Sequence, residues 1–144
     1  MAGPRSKLFS YLLALTLFAG SLQGQNVAEM GDGELNDIVV KLISENKFLE
    51  ARPYLQEMKK RAGDEPDANA AEAIAFFLAS SHLEEYQSSK NEESLKTAIK
   101  AFEDYVAKYP SGPRKIIALL NLGDAYSDLK QHAKAINTYK LIYD

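Results

Sequence analysis

The 144-residue chain contains no cysteine and no tryptophan. Without cysteine there is no disulfide framework, no thiolate metal site and no cysteine nucleophile. An excess of positive charge is missing too: 17 basic residues stand against 20 acidic ones, a net charge of −3. A nucleic-acid-binding domain normally carries a basic stripe, so that class is excluded. Strand-like alternation of useful length is absent. So are the phosphate loop G-x-x-x-x-G-K-[ST], the zinc signature H-E-x-x-H and the nucleophile elbow G-x-S-x-G. No cofactor and no metal is expected, and nothing positive points to an enzyme. A membrane-spanning run is also lacking. The apolar stretch from Leu8 to Ala19 covers only about 18 Å at ~1.5 Å per residue, against a ~30 Å hydrocarbon core.

That short run fits a different role. Arg5 and Lys7 precede it, and the small residues Ala19, Gly20, Ser21 and Gly24 follow. This is the layout of a secretory signal peptide over residues 1–24. Cleavage after Ser21 puts Ala19 at the −3 position; cleavage after Gly24 puts Leu22 there, and both are tolerated. Removing the segment takes away two basic residues and leaves 15 against 20, or −5. The mature chain is expected to be secreted or periplasmic, without stable insertion in a membrane. Absence of cysteine favours a bacterial envelope. Residues 25–33 are small and polar, which predicts a flexible leader.

From Glu34 onward the periodicity is helical throughout. Six helices are expected, near residues 34–45, 48–61, 68–87, 94–108, 114–129 and from 132 on. In the first, Leu35, Ile38, Val39, Leu42 and Ile43 make one apolar face. Pro53 is acceptable in the second only near its start. In the third, Ala71, Ile74, Ala75, Leu78, Ala79 and His82 share one side, and the alanines allow close helix approach. Gly63–Pro66 and Tyr109–Pro113 are strong stops. The breaks at Asn46-Lys47 and Lys130-Gln131 are so short that their flanking helices must form antiparallel hairpins.

These hairpins share a grammar. Leu42 precedes Ala51 by nine residues, and Tyr126 precedes Ala135 by nine. Four residues after Ala51, Ala98 and Ala135 come Leu55, Phe102 and Tyr139; three beyond those come Met58, Tyr105 and Ile142. Ala98 and Ala135 are 37 residues apart. Val39, Ala79 and Gly123 are the small residues that let the two helices of a pair approach. The middle unit departs from the spacing, with sixteen residues from His82 to Ala98, so about seven are inserted around Tyr86 to Ser94. With these residues the chain resembles the tetratricopeptide repeat (TPR) family, whose pattern is W-x2-L-G-x2-Y…A-x3-F…P. The third unit matches best, with Leu119 in place of Trp, then Leu122, Gly123, Tyr126, Ala135 and Tyr139. The junction Tyr109-Pro110-Ser111-Gly112-Pro113 is similar to those in repeats of bacterial envelope proteins.

The resemblance implies an all-α, TPR-like solenoid of about three helix pairs over residues 34–144, wound as a right-handed superhelix, with the last repeat incomplete. It also implies a scaffold that binds a protein or peptide in a concave groove lined by the first helix of each pair. The matched groove positions are Asn36, Val40 and Ile43 on the first unit, then Phe76, Ser80 and Leu83 on the second. On the third they are Ile117, Leu120, Asp124, Ser127 and Asp128.

The titratable residues add little chemistry. His82 stands where the repeat wants a large ring and is expected to pack; His132 opens a helix and is expected to face solvent. Glu84-Glu85, Glu92-Glu93 and the pair Asp124/Asp128 could do acid–base work or hold a cation. No third ligand or Gly-rich calcium loop accompanies them, so they read as solvated or partner-facing surface. Lys59-Lys60-Arg61 ends a helix, where cations favour the dipole. Leu141, Ile142 and Tyr143 leave an apolar end where a terminal repeat needs a polar face. The chain is therefore expected to self-associate through that end or to be the N-terminal segment of a longer multi-repeat protein.

Overall fold

A computed structural model describes residues 26–63 and 67–143. The expected signal peptide, residues 1–24, lies outside them. The chain forms two compact units, residues 1–31 and 32–144. Within the first, Val27–Glu29 make one 3-10 turn, capped by the Asn26 side chain, which accepts from the Ala28 N–H at 3.2 Å.

The second unit is all-helical among the described residues. Its helices are α1 (Asp32–Ser44), α2 (Phe48–Ala62), α3 (Ala68–Ser89), α4 (Glu92–Lys108), α5 (Lys115–Asp128) and α6 (His132–Lys140). The first begins two residues before its expected start, with Asp32 and Glu34 placed at the positive end of the helix dipole. Asp32 is further held by Arg61 at 2.8 Å. Pro53 lies six residues into α2, so one carbonyl, that of Leu49, loses its helical partner.

Extensive contacts all join consecutive helices, from α1 against α2 through to α5 against α6. The turns divide into two kinds. Within each pair the turn holds one non-glycine residue in the left-handed region: Asn46 (φ 57°), Lys90 (φ 57°) and Lys130 (φ 59°). The first and third of these turns are built alike. The Lys47 N–H donates to the Leu42 carbonyl at 2.8 Å, and the Gln131 N–H donates to the Tyr126 carbonyl at 2.8 Å. Such a bond reaching back five residues closes a helix end and reverses the chain. Between pairs the connections are longer and carry Pro66, Pro110 and Pro113.

The insertion in the middle pair is taken up as helix. The third helix runs seven residues past His82, where α1 and α5 run two past Leu42 and Tyr126. The fourth begins six residues before Ala98, where α2 and α6 begin three before Ala51 and Ala135. The middle hairpin is therefore longer by five residues on its first arm and three on its second, not looser at its tip.

Packing follows the spacing of small and large residues. Ala51, Ala98 and Ala135 are all buried, as are Leu55 and Phe102. Residues of α3, α4, α5 and α6 share one core; Val39, Ala51, Leu55 and Ile74 form a second, between α1, α2 and α3. Phe77 packs against both cores. Repeat-related positions differ where a neighbouring helix is present or absent. Ile99 on α4 is 7% exposed, in the cluster that contains Ala118, Leu122 and Ala125 of α5. Ile136, 37 residues on, is 54% exposed.

Gly123 marks the tightest approach. A Cβ there would lie 2.3–2.7 Å from ring atoms of Tyr139, whose hydroxyl is tied to the Asp124 carboxylate. Gly123→Ala gains ~1 kcal/mol of helix propensity. The overlap costs more, ~1–3 kcal/mol, because the ring yields only by giving up its hydrogen bond. We expect a net loss of up to about 2 kcal/mol in denaturant unfolding, abolished when Tyr139→Leu makes room. The same loss in both backgrounds would show that the ring is not the obstacle.

Candidate interaction groove

The three middle helices, α2, α3 and α4, enclose a groove of about 860 Å³. Its floor is one strip of α3: Ala71, Ala75, Leu78 and His82, at helical spacing i, i+4, i+7 and i+11. One wall comes from the second half of α2, with Gln56, Lys59 and Lys60. The other comes from the second half of α4, with Ala101, Asp104, Tyr105 and Lys108, and continues to Tyr109. The floor is small and apolar because α3 is alanine-rich along this face. Its rim is basic because two helices end there, and lysines sit well beside C-terminal carbonyls.

A buried carboxylate fixes the floor against one wall. Glu72 on α3 is 3% exposed. It accepts hydrogen bonds from the Tyr105 hydroxyl on α4 and from the Arg114 guanidinium at the start of α5. Arg114 in turn lies over the rings of Phe77 and Phe76, at 5.1 and 6.0 Å. Burial, followed by the bond to the Glu72 carboxylate, pushes the Tyr105 hydroxyl well above the usual tyrosine range. The other wall is joined by a second set. Arg52 on α2 donates to Ser81 Oγ at 2.9 Å, to the Ser81 carbonyl at 2.8 Å and to Glu85 at 2.9 Å. Glu84 accepts from the Leu49 N–H at 2.7 Å, which caps α2 from outside, since Lys47 supplies no side-chain cap.

These bonds revise the reading of the acidic doublets. Glu84 and Glu85 are engaged within the chain, where they staple α3 to α2. Asp124 likewise serves its own hairpin by accepting from Tyr139, whose hydroxyl is raised to about 12, first by that bond and then by burial. The third related tyrosine, Tyr126, bonds to Glu103 across α4 and α5. Burial first, and then that bond, raise it to about 12.

None of the eleven expected groove residues lines the α2–α3–α4 groove. Asn36 and Val40 are exposed on α1, and Ile43 is half-buried. Phe76 and Ser80 are buried, so neither offers a surface to a partner. Phe76 meets Phe102 and Tyr105 edge-on at 6.0 and 5.7 Å, and Ser80 donates back to the Phe76 carbonyl at 3.0 Å. The physical reason is that this face of α3 packs into the core shared with α4 and α5. Leu83 is half-buried on the same core. Ile117, Leu120, Asp124, Ser127 and Asp128 are exposed on α5. They form a separate surface from the groove. The groove's sequence signal was the alanine strip of α3 together with Lys59-Lys60; Glu72, Arg52 and Arg114 carried no signal of their own.

No protein-family model matches the chain, and no curated protein or solved structure matches it. The groove must therefore be read from its own chemistry. Among the described residues no three His, Asp or Glu side chains converge as a metal site would require, and no helix is long and apolar enough to cross a membrane.

His82 closes one end of the floor with Nδ1 3.8 Å from Glu85. Its pKa is lowered, first by burial and next by the Arg52 charge, with Glu85 opposing both. A lowered pKa means the folded protein resists protonation more than the unfolded chain. The stability from neutral His82 is therefore complete above 6.5 and is lost as the pH falls below it. Unfolding free energy should fall between pH 6.5 and 5, and His82→Gln should flatten that slope. An unchanged slope in the variant would remove His82 as its source.

Proposed function

We propose that this chain is a helical-repeat scaffold of the tetratricopeptide type. It acts by recognition without covalent chemistry, and a protein or peptide segment occupies the groove between α2, α3 and α4. In this reading it is an exported, envelope-located adaptor, as the N-terminal sequence suggests. Three antiparallel pairs with a recurring left-handed turn residue support the repeat assignment. The observation that carries the binding role is the groove itself: an apolar strip of Ala71, Ala75 and Leu78, reached by solvent, between two helices each tied to α3, α2 through Arg52 and Glu85 and α4 through Tyr105 and Glu72. Grooves of ~300–1,000 Å³ with an apolar lining and a few polar groups are the usual form of a binding site.

The test contrasts the two candidate surfaces. A photo-crosslinking amino acid placed at Gln56 reports on the groove; one placed at Ile117 reports on the α5 surface. Both positions are exposed, so neither should unfold the protein. In the native cell a discrete adduct is expected from Gln56. Adducts from Ile117 alone would move the binding surface to α5 and contradict the assignment.

A further inference from the structure

The chemistry of the groove narrows its occupant. The protein is acidic overall, with a net charge of −3, yet this rim is basic. Lys59, Lys60 and Lys108 are all exposed at one end of it. Lys59 makes no ion pair among the described residues. Lys60 has only a 3.8 Å contact with Glu57, and Lys108 lies 5.4 Å over the Tyr109 ring. Asp104, the acidic group of the lining, is answered by Lys100 at 3.2 Å. Arg61, by contrast, is held by Glu57 and Asp32, both at 2.8 Å. The cation nearest the end of α2 is thus closely paired, while among the described residues the three lysines facing the groove have no ion pair shorter than 3.8 Å.

Helix C-termini favour lysine by ~0.3–1 kcal/mol whether or not a ligand binds. That accounts for the presence of Lys59, Lys60 and Lys108. It does not account for their meeting around a floor of alanines. Ala71, Ala75 and Ala101 leave room for a backbone to approach closely. The floor from Ala71 to His82 is eleven residues of rise, or about 16 Å, which is three turns of helix. The opposite end carries His82, neutral at pH 7 because its pKa is lowered. Charge is therefore graded along the groove, from three lysines at the end of α2 and α4 to His82, where the neighbouring Arg52 and Glu85 neutralise one another.

We infer that the groove takes an amphipathic helix of about three turns from a partner protein, acidic at one end. Its apolar stripe lies on Ala71, Ala75 and Leu78. Its Asp or Glu residues meet Lys59, Lys60 and Lys108. This rests on the reading of the groove as the binding site. Helix-in-groove recognition draws affinity from the apolar stripe and orientation from the charges. The gradient sets which way round the helix lies.

A display library of helical peptides tests both levels. Each peptide carries a fixed apolar stripe, with every flanking position randomised. Selection runs against the full chain, with counter-selection against Lys59→Glu/Lys60→Glu/Lys108→Glu. A parallel selection uses Leu78→Glu. Because Leu78 also packs against the α1–α2 core, the exposed rim variant keeps the test valid if that change disturbs folding. We expect Asp and Glu to be enriched over Lys and Arg at flanking positions, clustered at one end. A selected peptide should bind at least tenfold more weakly to the rim variant, and more weakly in high salt. Enriched peptides with neutral or basic flanks that still need Leu78 would overturn the acidic-helix inference and leave the groove in place. Binding that ignores both Leu78 and the rim would overturn the groove as well.

Discussion

One buried carboxylate holds the middle of this molecule together. Glu72 sits in α3 at 3% exposure and is met by a hydroxyl from α4 and a guanidinium from the start of α5. A lone carboxylate at that depth would cost several kcal/mol, so its partners are obligatory rather than incidental. They also come from different helices, which gives the site its structural consequence. The side chain cannot be satisfied unless α3, α4 and α5 adopt one register. Arg114 is set against two phenylalanine rings, so hydrophobic packing and charge pairing fix the same residue. Since Glu72 and Tyr105 lie on the floor helix and the wall helix, the shape of the groove depends on this bond set too.

Around that point the architecture repeats a simple device. A left-handed residue reverses the chain within each pair, and a small residue lets the two arms meet. The cost of the device shows at Gly123, where nothing larger than hydrogen fits under Tyr139. Polar side chains then join one pair to the next: Arg52 with Ser81 and Glu85 on one side of α3, and Glu72 with Arg114 on the other. The third helix is thus the central member, stapled by charge at both faces. Its remaining strip, Ala71, Ala75 and Leu78, carries no such ties and is partly open to solvent.

The helices and their breaks were legible because their signals are local. Gly, Pro and a 3.6-residue period act over a turn or two, and six helices stand close to where they predict. The inserted residues of the middle pair were countable, but a count cannot say whether they form loop or helix. Their place in longer arms is decided by packing over the core. The charged network was illegible for the opposite reason. Glu72 and Arg114 are 42 residues apart, and each alone looks like an ordinary surface residue. The same holds for Arg52 and Glu85, 33 apart. Two residues assigned to the binding face, Phe76 and Ser80, are buried because that face of α3 packs toward α4 and α5, a choice of neighbour that local spacing does not carry. The alanine strip of α3 was visible, but its role as a floor depends on which helices stand beside it.

The most direct test of this account is a double-mutant cycle between Glu72 and Arg114, using Glu72→Gln and Arg114→Met and denaturant unfolding. Arg114→Met leaves the buried Glu72 without its charged partner and should cost about 3–5 kcal/mol, whereas Glu72→Gln leaves a partly exposed Arg114 and should cost less. The double variant should lose clearly less than the sum, with a coupling of ~2 kcal/mol or more. Additive losses, within ~0.5 kcal/mol, would show that the two side chains act independently and that no buried pair sets the register of these helices.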